Sequence, residues 1–319
     1  MRESHSIAQE AHRIIHSVEN NPVKSVTSST IGTRDRITII LAILALYLIW
    51  GSTYLGMRIA EESFPAFLMS GIRFVAAGSI LYIVLRLRHV PSPSRAQWGG
   101  SAIVGLLLVV GGNGAVSFAE QWVASGLAAV AIAATPVWIS LIMGLMGRWP
   151  RRIEWLGIVL GLVGVLLLNL GNGMWANPLG ALVLLFAPIC WSLGSALSGR
   201  LPLPNGLMAS AAQMIIGGIA SFFIALVLGE RMHGIPTLRA DLALLYLILF
   251  GSIIAFSAYG FLLRRVRPAL ATSYAYVNPV VAVCLGALVA GERITPLGVV
   301  AMLVILTGVA LVTLTRKHA

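Results

Sequence analysis

Residues 271–292 read ATSYAYVNPVVAVCLGALVAGE. The stretch has the length and composition of a membrane-crossing helix, since about 20 apolar residues span the roughly 30 Å hydrocarbon core of a bilayer. Yet Tyr274, Tyr276, Asn278 and Pro279 sit where a lipid-facing leucine costs least. A polar group held in hydrocarbon needs a partner on a neighbouring helix or a cavity to face. Whether this segment is packed on all sides or lines an internal space depends on what surrounds it.

The rest of the chain is of the same kind. Of 319 residues, 58% are hydrophobic and only 10% are charged, against about 25% charged in a soluble domain. So few charges cannot cover a water-facing surface, and the chain reads as an integral membrane protein. Ten apolar runs lie near 37–57, 65–86, 97–118, 122–146, 153–171, 178–200, 206–228, 241–264, 269–290 and 294–315. Lipid admits helices or closed barrels, and these runs are too long for barrel strands. The expected fold is an all-α polytopic bundle. Residues 1–36 carry mixed charge and no apolar signal core. They read as a tail, either a short amphipathic helix or a disordered segment. Cys190 and Cys284 fall inside apolar runs and read as small core residues.

Charge orients the bundle. Of the 22 Lys and Arg, only Arg58, Arg231, Arg239 and Arg293 fall on one set of alternate loops, and only Arg73 lies within a run. All others are in the two tails or the opposite loops, so the positive-inside rule puts both termini in the cytoplasm. The net charge of +11 therefore belongs to membrane orientation, not to nucleic acid.

The fourth and ninth runs repeat one another. Leu127, Ala128, Pro136 and Val137 match Leu270, Ala271, Pro279 and Val280 at a constant shift of 143. Trp50 pairs with Trp191, and GVLLL from Gly164 pairs with GVALV from Gly308. The shared order predicts a duplication, 37–171 and 178–315, of five helices each. An odd number of spans forces the copies to insert in opposite directions. Inverted repeats of this kind build alternating access around a midplane site in secondary transporters.

Several polar groups are candidates to line such a site. Arg73 is the only strongly ionised residue deep in a span, either an anchor for a carboxylate-bearing solute or an arginine that snorkels or ties off carbonyls. Its repeat partner is Gln213. Glu120 ends the third span and is the best carboxylate for proton coupling; otherwise it is a solvated loop acid. Asn113, among glycines, contacts solute or a neighbouring helix. Pro136 and Pro279 each remove an amide and free the carbonyls of Ile132 and Ala275, which predicts a break or hinge in both halves. Tyr274 and Asn278, at i and i+4, share a face, while Tyr276 points about 200° round. The three are read as asymmetric cavity lining, with Trp50, Tyr54, Trp191 and Tyr259 completing an amphipathic pocket for ring-bearing or zwitterionic solutes. Glu292 reads as a turn or gate residue. Gly157, Gly161 and Gly164 predict close helix packing.

The segments LYLIWGSTYLGMR, GIRFVAAG and GNGAVSFAE, with the block from Phe250 to Glu292, resemble the drug/metabolite transporter superfamily. More narrowly they resemble its ten-helix exporters with two EamA domains, of the YedA-like kind. The resemblance covers about residues 37–315. It implies export of small metabolites, amino acids or drugs across a bacterial inner membrane. The first half lacks the Gly-Glu pair of Gly291–Glu292 and has MGRWP there instead.

Other classes fit less well. All six histidines lie in loops or tails, which removes a Ser–His dyad and a haem or zinc site from the core. No Asp pair lies within a span, and no Walker A motif is present. A channel would need a charged ring or carbonyl filter. The remaining alternatives are a lipid scramblase and a non-transporting receptor or scaffold. Expected partners are the bilayer and a small solute, with protons as a candidate coupling ion and a homodimer left open. No cofactor, metal or nucleic acid is expected.

Overall fold

A computed structural model describes residues 33–121, 131–168, 178–232, 234–290 and 295–314. Ile39–Arg316 form one compact unit. Among the described residues the chain is helical, with no strand. Helix α1 runs Thr33–Ala45, continues through a π-helical segment Leu46–Trp50 and ends as Gly51–Ala60; α2 is Ala66–Leu87. Helix α3 is Arg95–Gly105, a π segment Leu106–Gly114, then Ala115–Glu120; α4 is Thr135–Leu145 and α5 is Arg152–Leu168. Then come α6, Pro178–Leu197, and α7, Leu207–Val227. Helix α8 is Leu238–Tyr246, a π segment Leu247–Ile254, then Ala255–Arg265; α9 is Tyr274–Ala290 after a single turn Pro268–Ala271, and α10 is Pro296–Leu314.

Among the described residues, seven helices are long and apolar enough to cross a membrane. They are α1, α2, α3, α6, α7, α8 and the segment carrying α9; α4 and α10 are shorter apolar helices, and α5 contributes 17 described residues. Leu41, Leu48, Ile83, Leu182, Phe186, Phe223 and Leu303 are all exposed. Apolar surface on this scale would aggregate in water and is what a bilayer solvates. The chain is an integral membrane protein.

Two helix pairs lock backbone to backbone: α2 with α7, and α5 with α10. A methyl group on Gly218 would come 2.6 Å from the Val75 amide nitrogen, and one on Gly78 would come 2.8 Å from that of Ile215. At the other pair, a methyl on Gly157 would come 2.6 Å from the Gly308 carbonyl, and one on Gly308 would come 2.7 Å from the Gly161 nitrogen. With lipid on both sides no hydrophobic drive presses helices together, so close van der Waals approach has to do it. The remaining helices cross between the pairs. Helix α1 packs on α8 and α9, and α6 packs on α3 and α4.

The sequence reading needs three corrections here. Pro136 is not inside a helix but in the first turn of α4, after a break at Ala134. The Ile132 carbonyl freed there accepts from Thr135 Oγ1 at 2.6 Å. The ninth run is also not continuous: Thr272 and Ser273 form a turn before α9, their hydroxyls donating to the carbonyls of Pro268 (2.9 Å) and Leu270 (2.8 Å). Hydroxyls next to a break satisfy groups that lipid cannot. Only Pro279 lies within its helix, as does Pro188 in α6. Finally, Cys190 and Cys284 are free thiols but only half-buried. The tail before residue 33, with Leu127, Ala128 and Glu292, lies outside the described residues, as does the Glu120 side chain.

Candidate functional site

Where α1, α2, α3, α4, α6 and α9 converge they leave a cavity of about 80 Å³. Its wall is partly aromatic. Trp50, Tyr54, Trp191 and Tyr274 face it, and the Trp50 ring stands edge-on to Trp191 (centroids 5.5 Å apart) and to Tyr274 (4.5 Å). Polar groups punctuate this wall: Thr53 from α1, Arg73 from α2, Asn113 from α3, Thr135 from α4 and Asn278 from α9. Thr135 and Asn278 occupy matching positions in the fourth and ninth runs and face the same space.

Arg73 is the centre of charge. Its side chain is 2% exposed, so it does not snorkel to the surface. Nε donates to Ser252 Oγ at 2.8 Å, while Nη1 is buried without a hydrogen-bond partner. Nη2 lies against Gly251, where an added methyl would come within 2.9 Å of it. Gly251 and Ser252 belong to the π segment of α8. A π turn pairs i with i+5 and releases a carbonyl from the ordinary ladder. The Gly251 carbonyl accepts from Trp50 Nε1 at 3.0 Å. One irregular turn therefore seats both the tryptophan and the arginine of the cavity. Asn278 Oδ1 is a second buried polar atom without a partner. Most buried polar groups in folded proteins are hydrogen-bonded, and here two side chains that line one cavity each carry a buried polar atom without a partner.

Other predicted residues lie elsewhere. Tyr276 is on the far side of α9, its ring against Gly161 and its hydroxyl donating to the Ile158 carbonyl at 3.0 Å. The helical period that puts Tyr274 and Asn278 on one face puts Tyr276 on the α5 side. Tyr259 sits behind the aromatic wall, 5.4 Å from both Trp50 and Trp191 and 5.7 Å from Tyr274, centroid to centroid. Its hydroxyl accepts from Trp191 Nε1 at 3.0 Å and pairs with Ser195 Oγ at 2.6 Å, while Ser195 donates to the Trp191 carbonyl at 2.7 Å. Gln213 lines a separate, smaller cavity.

Sequence reading passed over Met57, Gly112, Val116, Ala187 and Pro188, which also line the main cavity. It passed over Gly251 and Ser252 as well, although both lie in the block most like known exporters. Gly112 has a visible reason: a methyl there would come 2.5 Å from the Trp191 ring. A glycine one step before a mid-span asparagine was the available signal. Among the described residues no group of His, Cys, Asp and Glu could hold a metal.

The chain matches the EamA-like transporter family over residues 37–170 and 178–314. It is 46% identical over 274 residues to the "Uncharacterized inner membrane transporter YedA" of Escherichia coli K12, a match that covers 86% of this chain and 90% of that protein. It is 23% identical over 293 residues to a "Probable amino-acid metabolite efflux pump" of the same strain, covering 84% of this chain and 92% of the pump. Among solved structures, one described as "Crystal structure of protein" superposes with a TM-score of 0.74 at 20% identity, covering 88% of this chain and 99% of that one. That likeness is one of fold.

Proposed function

Because the chain belongs to the EamA-like transporter family, we propose that it is a secondary active transporter that exports small zwitterionic or ring-bearing metabolites, amino acids among them, by alternating access. One observation carries this reading. The buried, unpartnered Arg73 Nη1 and Asn278 Oδ1 face one cavity walled by Trp50, Trp191 and Tyr274. A guanidinium nitrogen receives a carboxylate, an amide oxygen receives an ammonium, and aromatic faces receive an apolar side chain. Export as the direction is supported by the efflux pump among the relatives.

The proposed architecture is ten spans in two inverted halves, 37–171 and 178–315, with both termini cytoplasmic. The reciprocal packing supports it: α1 crosses to α8 and α9 of the second half, and α6 crosses to α3 and α4 of the first. Trp50 and Trp191, which match in the repeat, meet where the halves meet. An aqueous cavity between two such halves can open to either side as they rock.

The test is flux of radiolabelled L-phenylalanine in proteoliposomes. Wild type moves the solute and Arg73→Gln does not, with folded yield retained. Lys at position 73 keeps the charge but loses the planar fork, and restores only part of the rate. If yield collapses in every Arg73 variant, the arginine is structural and the binding assignment fails. Repeating the flux with and without a pH gradient, in wild type and Glu120→Gln, tests coupling. A gradient effect that Glu120→Gln abolishes assigns the proton to that carboxylate.

A further inference from the structure

Among the described residues, the main cavity holds one full charge and no group that cancels it. Arg73 is 2% exposed, its Nε is spent on the neutral hydroxyl of Ser252, and its Nη1 has no partner. No acidic side chain is among the described residues that line the space. Two other carboxylates are committed elsewhere. Glu154, at the start of α5, pairs with Arg267 at 2.9 Å and accepts from the Arg151 amide at 2.8 Å. Glu230 accepts from the amides that open α2, from Phe67 at 3.3 Å and from Leu68 at 2.8 Å.

The other polar groups of the wall are neutral. Thr53 Oγ1 donates its proton to the Trp50 carbonyl at 2.8 Å, and Thr135 Oγ1 donates to the Ile132 carbonyl at 2.6 Å, so each has only lone pairs left to offer. Asn278 Oδ1 is an unpaired acceptor. Such oxygens satisfy the hydrogen of an O–H or an N–H, but they cancel no charge. The aromatic faces attract a cation as well. That attraction is to a quadrupole and fades faster with distance than the repulsion between two full charges.

A charge held in a low-dielectric space is tolerable when an opposite charge lies beside it. A carboxylate with no other ionised group brings the closed cavity to neutrality. A zwitterion leaves the guanidinium charge uncancelled, and an amine adds a second positive charge to it. We propose that the preferred solute is a ring-bearing monoanion, an α-hydroxy carboxylate above all, rather than an amino acid or an amine. Arg73 takes the carboxylate, Asn278 Oδ1 takes the hydroxyl proton, and the wall of Trp50, Trp191 and Tyr274 takes the ring. This rests on the transporter reading above and narrows its solutes by net charge.

The experiment is calorimetric titration of the full chain in detergent, at neutral pH, with ligands that share a phenyl ring. Phenyllactate, in which a hydroxyl replaces the ammonium of L-phenylalanine, binds about tenfold more tightly than L-phenylalanine, and phenylethylamine does not bind. Arg73→Gln leaves a neutral cavity and erases or reverses that order. Should this variant fail to fold, the wild type still decides: phenylpropionate binds more tightly than its neutral amide, and equal binding overturns the proposal. L-Phenylalanine binding as tightly as phenyllactate in wild type, or an order that Arg73→Gln leaves unchanged, also overturns it. A preference for L-phenylalanine that is lost in Glu120→Gln overturns it too, because Glu120 then supplies the counter-charge for the ammonium. In each of those cases, flux of L-phenylalanine in proteoliposomes leaves the transporter reading standing. No binding of any ligand, with no flux of L-phenylalanine or phenyllactate, overturns both.

Discussion

Helices α2, α7, α5 and α10 are regular and meet through glycines, while α1, α3, α4, α6, α8 and α9 are all interrupted. The first group uses its missing side chains to bring backbones together, as at Gly78 with Gly218 and Gly157 with Gly308. The second group carries π segments in α1, α3 and α8, breaks before α4 and α9, and prolines within α6 and α9. The irregular helices supply most of the cavity wall, and the regular pair α2–α7 supplies Arg73 and Gln213, one to each cavity. Backbone hydrogen bonds are costly to leave open in lipid. Interruptions are therefore tolerable only where a side chain or cavity takes up the freed group, as the Trp50 indole does at the Gly251 carbonyl. The division is between a close-packed frame and an irregular cavity wall.

Four changes test that division. The largest effect belongs to the frame. Gly157→Val forces a side chain into the Gly308 carbonyl, which no rotamer avoids; it should cost about 3 kcal/mol and sharply reduce monodisperse protein on gel filtration. Normal yield would mean that α5 and α10 are not locked. Next is Arg73→Gln, which should weaken solute binding by about 2 kcal/mol, the worth of hydrogen bonds to a charged group, with little change in thermal stability. A large drop in melting temperature instead would move Arg73 from the cavity to the frame. Tyr259→Phe opens the loop that joins Trp191, Tyr259 and Ser195, and should cost about 1 kcal/mol of stability. An unchanged melting temperature would show that this loop does not brace the aromatic wall. The smallest effect is expected from Tyr276→Phe, about 0.6 kcal/mol of stability from the lost bond to the Ile158 carbonyl, with transport unchanged. A transport defect there would put this tyrosine in the solute path after all.

The sequence carried a good deal of this. Composition and run length made an integral helical membrane protein the only economical reading. Mid-span polarity picked out Trp50, Arg73, Asn113, Trp191, Tyr274 and Asn278, which the fold brings around one cavity. Helical period separated Tyr276 from Tyr274 before any coordinates did. Less legible were the interruptions. The three π segments consist mostly of apolar residues, and no side chain among LYLIW or LILFGSII announces a wide turn. Pro136 looked the twin of Pro279, but the first opens a helix and the second lies within one.

By itself, then, the sequence determined the solvent, the helical class and which polar groups have to find a use inside the bundle. Those follow from transfer free energies and hydrogen-bond counting, which depend on residue type alone. Tertiary structure decided which of those groups share a space: Arg73 and Asn278 line the main cavity, while Gln213 and Ser210 line a separate, small one. Residues from six helices meet there, and their distances are set by glycine contacts and wide turns far along the chain. No local pattern in the sequence encodes such a sum.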